Sequence, residues 1–400
     1  MGTSAPIAIT GMGCLSGAGM NLPESLQSMF RNQRYPHSPR RFSTDHPVSY
    51  PVLELRDEFK LPLDNQETVY ARTSQLALAA ALEALADAGW TAESLRGKRV
   101  GVCIGTTVGC SLNCDDFYRA FKANGAAGNP DMGIIQRFLR SNPSAVIARQ
   151  LKLDGPKQTV VNACSSGTEA IGIGASWLKA GACDIVIAGG ADELARVTYA
   201  GFSSLMISDT EPCKPFDLER KGLNLGEGAG ILILESAAVR ESKKARGYLL
   251  GYGSASDAHH LTAPHPDGTG LKRALTEAFT SAAVTPEMIS FINAHGTGTP
   301  DNDRVECRVM NEILPGVPFV STKGYTGHTL GAAGGIEAAF TVACLQRGEL
   351  PASIGFATAD PELAATPVTE NTPVSGEIAL SESLAFGGNN GVLIFSRGDA

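Results

Sequence analysis

One cysteine of the sequence stands where a thiol can act as a nucleophile. Cys164 lies in VVNACSSGTEAIG, between an apolar run that predicts a strand and a stretch that predicts a helix. A thiol at the start of a helix faces unpaired backbone N–H groups and the positive end of the helix dipole, and both favour the reactive thiolate. The small residues around Cys164 leave room for a substrate. On this pattern alone, a buried structural cysteine is the alternative to a nucleophile.

Two histidines follow other predicted strands. His295 lies in FINAHGTGTPDND, before a Gly-Thr-Gly-Thr turn, and His328 lies in STKGYTGHTLGAAGGIEA, where it opens a Gly/Ala-rich helix. A satisfied polar or core histidine is the alternative for each. Because parallel strands end at the same edge of a sheet, we expect Cys164, His295 and His328 to converge there. One thiol and two imidazoles at one edge would suit acyl transfer through a covalent intermediate.

Two further features complete this set of candidate residues. Lys323 precedes His328 by five residues, and Glu337 follows it by nine. They form either a surface ion pair or a pair that holds His328 and tunes its electrostatics. The stretch FGGNN at 386–390 precedes an apolar strand. Its small residues let the backbone approach a ligand, so a backbone N–H here could stabilise an oxyanion.

An alternating α/β order of elements must position these residues. Short β-branched runs predict strands, and their continuous apolar character indicates a sheet buried on both faces. Ala-rich stretches between them predict helices, which makes the sequence typical of an α/β fold. The strand candidates are residues 7–10, 99–105, 159–163, 184–190, 229–235, 291–295, 318–322 and 391–395. The helix candidates are residues 73–89, 166–181 and 271–284.

The order of elements repeats loosely in two halves. Each half has a strand that ends at a reactive residue and a glycine-rich turn, as in TVVNACSSG and FINAHGTG. We expect an N-terminal half over residues 1–240 and a C-terminal half over residues 241–400, joined in one compact body. Residues 106–142 are interpreted as an insertion in the first half because they contain turn-prone stretches.

Composition excludes several classes of protein. Of the 400 residues, 43% are apolar, so the chain can bury a large core and is not a disordered protein. A net charge of −8 argues against a general nucleic-acid binder, which needs a basic footprint. We find no signal-peptide pattern and no apolar run of about 18 residues. Together with nine scattered cysteines, interpreted as reduced thiols, these features predict a cytoplasmic protein.

No metal or cofactor is expected. Cys110 and Cys114 could form half of a zinc site, but no second closely spaced Cys/His pair follows them. His259 and His260 are adjacent in sequence and cannot readily place both rings on one ion. The opening ITGMGCLSGAG matches a dinucleotide-binding loop only in part, because Ser16 replaces the third glycine.

Five motifs together resemble the β-ketoacyl-acyl-carrier-protein synthases of the elongating, Cys-His-His type. The motifs are ACSSG, NAHGTGTPDND, STKGYTGHTLGAAGGIEA, LGEGAG at 225–230 and AFGGNNG at 385–391, and they run in register over nearly the whole chain. The resemblance implies the thiolase fold, with two similar βαβαβαββ halves in a five-layer α-β-α-β-α arrangement. It also implies a homodimer, with a heterodimer as the alternative.

By this resemblance, the reaction is a decarboxylative Claisen condensation. Cys164 takes an acyl chain as a thioester from acyl carrier protein. Malonyl-acyl-carrier-protein then loses CO₂ and extends that chain to a 3-ketoacyl product. His295 and His328, as neutral donors, stabilise the developing enolate, and the N–H groups of Cys164 and Phe386 match the oxyanion hole.

The resemblance assigns supporting roles to other residues. Lys323 and Glu337 match a supporting charged pair, and Phe386 also matches a gating aromatic. Val108 and Phe202 lie where members of the family line the acyl pocket. Because the carrier protein is expected to be acidic, its docking needs local cations. The candidate docking cations are Arg72, Arg137, Arg140 and Arg149.

Two pathways are compatible with the resemblance. The expected function is fatty-acid elongation. The alternative is a ketosynthase of a type II polyketide or aryl-polyene pathway, including the active subunit of a ketosynthase/chain-length-factor heterodimer. Departures from the family pattern at Leu223, Leu384 and Asn389 bear on the acyl chain length. Cys164 argues against a non-catalytic chain-length factor, and the two histidines argue against a degradative thiolase.

Overall fold

Strands and helices alternate along the chain, as the sequence predicts. The computed structural model describes residues 6–56, 70–109, 115–125, 131–240 and 244–399. Its strands are β1 (Ile7–Ser16), β2 (Val100–Gly105), β3 (Lys157–Val160), β4 (Ile185–Asp192), β5 (Gly228–Glu235), β6 (Gly247–Ser256), β7 (Ile289–Asn293), β8 (Phe319–Val320), β9 (Glu349–Leu350), β10 (Thr372–Pro373), β11 (Ile378–Ala385) and β12 (Asn389–Arg397). Its helices are α1 (Leu22–Phe30), α2 (Arg72–Asp87), α3 (Asp115–Asn124), α4 (Met132–Arg140), α5 (Pro143–Leu151), α6 (Ser166–Lys179), α7 (Arg196–Ser204), α8 (Ala237–Arg240), α9 (Thr269–Ala282), α10 (Pro300–Ile313), α11 (Lys323–Thr326) and α12 (Ala333–Arg347).

The main sheet is built from two half-sheets of identical strand order. Its hydrogen-bonded order is β3-β2-β4-β5-β1-β6-β12-β11-β7-β8. The first five strands read 3-2-4-5-1, and the second five, taken from the far end, read 8-7-11-12-6. The halves are joined where β1 pairs with β6 in antiparallel register between Ile7 and Ile9. Each strand of the first half therefore has a counterpart in the second.

Helices cover the half-sheets on both faces. α2 packs against the first half-sheet and α9 against the second, whereas α6 and α12 pack against each other and against strands of both halves. This gives the five-layer α-β-α-β-α arrangement expected from the thiolase-fold resemblance. α12 is buried from Ala333 to Leu345 because it lies between two sheets rather than on a surface.

The burial of the strands follows their sequence pattern. Every residue of β2, β4 and β5 is buried, which confirms the sheet covered on both faces that their apolar runs predict. β6 and β11 were not predicted from the sequence. β6 is rich in glycine because α9 packs closely on it, and a Cβ at Gly253 would overlap the carbonyl oxygen of Ala274. β11 carries a polar Ser-Glu-Ser stretch that is nevertheless buried.

The candidate residues gather where strands end, but not at one edge of a single half-sheet. Cys164 follows β3, whereas His295 follows β7 and His328 follows β8. β3 and β8 are the two outermost strands of the ten-strand order. Cys164 and His328 nevertheless meet, because the start of α6 packs against α12 and the segment before it. Small residues allow this contact, and a Cβ at Gly167 would lie 2.8 Å from the Gly331 carbonyl oxygen.

The region interpreted as an insertion contributes two helices outside the sheet. The described part of residues 106–142 contains α3 and α4, while Cys110 and Cys114 lie outside the described residues. No residue of α4 is buried. Within the described ranges, no helix is both long and apolar enough to cross a membrane.

Candidate active site

Cys164 occupies a tight turn between β3 and α6. The preceding residue, Ala163, has a left-handed backbone with φ of 48°, which is unfavourable for a residue that carries a Cβ. Ser166 holds the turn, since its hydroxyl donates to the Ala163 carbonyl at 2.6 Å and accepts the N–H of Asn162 at 2.8 Å. The thiol is thus fixed at the start of α6, as predicted, and Cys164 is only 3% exposed.

His328 contacts the thiol directly. Its Nε2 lies 3.1 Å from Sγ of Cys164. Its Nδ1 accepts the backbone N–H of Leu330 at 3.3 Å, so the hydrogen of the neutral ring is assigned to Nε2. His328 therefore presents an N–H donor to the sulfur and to the space beside it.

Lys323 fixes the tautomer of His295. Its Nζ lies 3.0 Å from Nδ1 of His295, 2.6 Å from the His295 carbonyl oxygen and 2.5 Å from Oε1 of Glu337. These three acceptors use all three N–H bonds of an ammonium group, so Nδ1 of His295 accepts and Nε2 carries the hydrogen. The rings of His295 and His328 lie 5.3 Å apart between centroids, at 84° to each other. Both imidazoles are thus assigned as Nε2–H donors.

Lys323 and Glu337 form the predicted ion pair, but its position differs from both alternatives, a surface pair and a pair that holds His328. The pair is buried, with side-chain exposures of 1% and 2%, so it is not a surface ion pair. Lys323 holds His295 rather than His328, which corrects the expectation based on sequence proximity, although its ammonium also lowers the pKa of His328 as expected. The error arose because α11 turns the Lys323 side chain toward the end of β7, a neighbour that is remote in sequence.

Burial keeps both imidazoles neutral. It lowers the pKa of His295 and of His328 well below the usual value of 6.5, and the Lys323 ammonium lowers each pKa further. Neutral rings with the hydrogen on Nε2 can donate to an oxygen that gains negative charge.

We expect both rings to remain neutral Nε2–H tautomers from about pH 8 down to below about pH 6, because their pKa values are depressed. Ring ¹⁵N NMR signals would report this directly. Lys323→Met should mix the tautomers of His295 while leaving those of His328 unchanged, since only His295 loses its donor. Titration of either ring near pH 6.5 in the parent protein would contradict this assignment.

The thiol environment is less favourable to the thiolate than the helix start alone predicts. Burial raises the pKa of the Cys164 thiol to about 12, although Lys323 and the Phe386 N–H act in the opposite direction. The resting sulfur is therefore protonated. The helix start and the two donors instead become important when charge develops on the sulfur during reaction.

The FGGNN stretch supplies a donor and an aromatic wall. The Phe386 backbone N–H faces the Cys164 sulfur and acts to lower the pKa of its thiol. Gly387 and Gly388 have φ of 83° and 77°, a conformation that favours glycine and explains the Gly-Gly pair. The Phe386 ring stacks on Phe202 with centroids 5.6 Å apart. The rings of Phe202 and Phe386 therefore border the access to the sulfur.

A cavity of about 180 Å³ connects these groups. Cys164, His295, His328, Phe202 and Phe386 all line it, as predicted for a common site. Lining residues that the sequence analysis did not assign to the cavity include Leu205, Ile207, Leu223, Leu384, Thr297 and Thr299. The two threonines belong to the GTGT turn after His295, which could have indicated them. Among the described residues, no group of three or more His, Cys, Asp or Glu is placed to hold a metal ion.

Arg72 does not occupy the place expected of it, whereas the role of Val108 in an acyl pocket stays a prediction. Val108 is not among the residues that line the cavity at Cys164, and its backbone N–H donates to Asp192. The Arg72 guanidinium forms two hydrogen bonds, at 2.7 and 2.8 Å, with the buried carboxylate of Glu227. Its side chain is 15% exposed, so it is not a surface cation for docking. Such long-range pairing is invisible in a local sequence pattern.

The other candidate docking cations lie on the surface. Arg137 and Arg140 are exposed in the last turn of α4. Arg149 is exposed in the last turn of α5, where its guanidinium lies 5.9 Å from the centre of the Tyr70 ring. These three residues stay candidates for binding an acidic partner.

Comparisons with known proteins agree over nearly the whole chain. Residues 4–239 match the family model of the beta-ketoacyl synthase N-terminal domain, and residues 246–357 match that of the C-terminal domain. A 3-oxoacyl-[acyl-carrier-protein] synthase 2 of Synechocystis is 33% identical over 98% of each chain.

Solved structures show the same fold. A chain of the ishigamide ketosynthase/chain length factor has a TM-score of 0.91 and 31% identity, covering 98% of this chain and 99% of that one. A chain of a ketosynthase in complex with its chain length factor from Xenorhabdus doucetiae has a TM-score of 0.84 and 32% identity, covering 98% of each chain.

Proposed function

The chain belongs to the beta-ketoacyl synthase family, and on this premise we propose that Cys164, His295 and His328 carry out its decarboxylative condensation of acyl and malonyl thioesters. The protein is a 3-oxoacyl-acyl-carrier-protein synthase, an acyltransferase. The observation that carries the residue assignment is the contact of His328 Nε2 with the Cys164 sulfur in the cavity that His295 also lines. The division into halves at residues 1–240 and 241–400 is part of the same proposal.

Acylation comes first. The Cys164 sulfur attacks the thioester carbonyl of an acyl carrier protein, and the oxygen becomes an oxyanion. The backbone N–H of Phe386, which faces the sulfur, stabilises that oxyanion together with the N–H of Cys164. The carrier thiol leaves and receives the proton that Cys164 gives up. One thioester replaces another, so acylation needs no net proton.

Condensation follows on the acyl-enzyme. The malonyl carboxylate leaves as CO₂, and its bonding electrons form an enolate whose oxygen accepts the Nε2–H bonds of His295 and His328. The carbanion attacks the acyl carbon, and the C–S bond to Cys164 breaks. The released sulfur takes a proton from water, as the raised pKa of the Cys164 thiol favours. The product is a 3-ketoacyl carrier thioester two carbons longer.

Charge reversal of the surface arginines should weaken carrier docking. Each single variant is expected to raise KM for acyl carrier protein by about 3- to 10-fold, because a cation that attracts the acidic partner is replaced by an anion. The variants are Arg137→Glu, Arg140→Glu and Arg149→Glu. Alkylation of Cys164 by a small thiol reagent should stay unchanged. Lys179→Glu, at the end of α6 remote from Cys164, is the matched control. An unaltered KM in all three arginine variants would disprove this docking surface.

The pathway is the second part of the proposal. Fatty-acid elongation is supported by the relative named 3-oxoacyl-[acyl-carrier-protein] synthase 2. Polyketide or aryl-polyene extension is supported by the two ketosynthase/chain-length-factor structures. In either case we propose a dimer, because among the described residues β3 pairs with a strand on one side only, and Val161 beside it is 66% exposed. A homodimer suits the first pathway, and a heterodimer with a chain length factor suits the second.

We further propose that the protein works in the reducing cytoplasm. Seven cysteines of the described residues are free and buried, which supports a chain that folds without disulfides.

Intact-protein mass after incubation with acyl carrier proteins of increasing chain length tests this proposal. Mass gain with ordinary saturated chains would support fatty-acid elongation. Gain restricted to polyunsaturated chains, or gain only when a chain length factor is added, would support the second pathway. No gain with any chain, with or without that partner, would overturn the proposed function.

A further inference from the structure

Two carboxyl groups meet in the interior behind His295. Glu306 lies on α10 and Glu382 lies on β11, and both are 0% exposed. Their side chains are close enough to hydrogen-bond to each other. Glu382 is the middle residue of the Ser-Glu-Ser stretch of β11, a strand that the sequence did not predict. The condensation chemistry does not use it, so its presence in the core needs another explanation.

Glu306 is the member of this pair that ionises first, although burial raises its pKa to about 7. Its Oε1 accepts the His295 backbone N–H at 2.5 Å, and its Oε2 accepts the Gly296 N–H at 2.8 Å. The side-chain amide of Asn302 donates to the same Oε2 at 3.0 Å. Three donors converge on this carboxylate, and such an arrangement stabilises negative charge. Glu306 therefore holds the backbone at His295.

Glu382 has the opposite environment. No N–H or O–H of the described residues donates to either of its oxygens. The charged group that it faces is the Glu306 carboxylate. Two ionised carboxylates in contact inside a protein repel strongly, and a buried anion without donors is costly. A carboxylic acid at Glu382 avoids both costs, because its O–H has an acceptor in Glu306.

We propose that Glu382 is a neutral carboxylic acid that donates its proton to Glu306, and that this bond positions His295 for the condensation. The first clause stands on the buried pair itself, and the second rests on the proposed function. Glu382 touches neither substrate nor the reacting atoms in this arrangement. It is a positioning residue that acts through Glu306.

This arrangement makes the core sensitive to alkaline pH. The groups around the pair are Asp303, which repels further negative charge, and Lys323, which favours it on Glu306. Burial and the Glu306 carboxylate raise the pKa of Glu382 well above its usual range. A carboxyl group whose pKa is higher in the folded than in the unfolded protein contributes stability that is fully present below the unfolded-state pKa. This stability is lost as pH rises through the folded-state pKa.

Glu382→Gln and Glu382→Leu separate the proposal from a merely structural role. The glutamine amide can still donate to Glu306, whereas leucine fills the space without a donor. We expect kcat of the glutamine variant within about 3-fold of the parent, and kcat of the leucine variant about 10-fold lower with KM for the carrier unchanged. Glu235→Gln is the control, a buried carboxylate that already accepts bonds from Thr10 and Trp90.

Two readouts are independent of turnover. Between about pH 6 and about pH 9, the Tm of Glu382→Gln should rise by about 2 °C or more relative to the parent, because glutamine has no proton to lose. Glu235→Gln should show no such relative gain. The His295 ¹⁵N signals should move in Glu382→Leu and stay in place in Glu382→Gln.

The possible outcomes are distinct. Equal pH dependence of Tm in the parent and Glu382→Gln would overturn the neutral acid. Unmoved His295 signals in Glu382→Leu, or a loss of kcat in Glu382→Gln as large as in Glu382→Leu, would overturn the positioning role. A parent that never condenses acyl and malonyl thioesters would instead contradict the proposed function, while the Tm and NMR results still decide on Glu382.

Discussion

Replacement of Cys164 by alanine is expected to lower condensation by about 10⁴-fold or more, because the acyl group then has no covalent attachment point. The acyl-enzyme mass gain should vanish at the same time. The fold should persist, since the change removes one small buried atom at the start of α6 and leaves the Ser166 bonds that hold the turn. Single-turnover condensation and intact mass measure the two effects.

A second cysteine provides the control for this experiment. Cys103 is buried in the interior of β2 and is not at a strand end, so Cys103→Ala should retain acylation and condensation. A Cys164→Ala protein that still gains the acyl mass would show that another residue is the nucleophile. Decarboxylation of the malonyl carrier by Cys164→Ala can continue, because both imidazole donors are intact.

Replacement of His295 by alanine is expected to lower malonyl decarboxylation by about 10²- to 10³-fold, the effect of losing one preorganised donor to a developing oxyanion. Acylation of Cys164 should be affected far less, because its oxyanion uses backbone N–H groups. CO₂ release and intact mass separate the two steps.

His46→Ala, at a half-buried histidine outside the cavity, is the matched control and should leave both steps unchanged. Equal losses of acylation and decarboxylation in His295→Ala would contradict the assigned division of labour. In that case His295 would maintain the shape of the whole cavity rather than stabilise the enolate.

The sequence predicted the candidate site better than it predicted the surroundings of that site. Cys164, His295 and His328 each follow a strand, and strand ends are where α/β folds collect reactive groups. That general rule brought the three residues together, although they lie between two stacked half-sheets rather than at one edge. The stacking depends on contacts between α6 and α12 that no local pattern contains.

Side-chain partners were the least predictable feature. The sequence spacing placed Lys323 beside His328, whereas the structure places its ammonium on His295. Arg72 has a buried partner 155 residues away in Glu227, so its charge is not at the surface. These contacts depend on how segments that are distant in sequence pack together, and the spacing of residues along the chain does not predict that packing.

The strand that carries Glu382 was missed for a related reason. Strands were recognised by apolar runs, and the Ser-Glu-Ser stretch of β11 breaks that pattern. The hydroxyls of Ser383 and Thr168 lie 2.9 Å apart and Glu382 faces Glu306, whereas the buried Ser381 hydroxyl has no hydrogen-bond partner among the described residues. A polar core segment of this kind is identified only once its partners are known.

The most direct test of the central claim is a single-turnover condensation. Protein carrying an acyl group on Cys164 is mixed with malonyl-acyl-carrier-protein labelled in its carboxyl carbon, and both products are followed by mass. The expected result is one labelled CO₂ and one 3-ketoacyl carrier, two carbons longer than the acyl group, for each acyl-enzyme consumed. An acyl-enzyme that persists, or that is consumed without a ketoacyl product, would contradict condensation at Cys164.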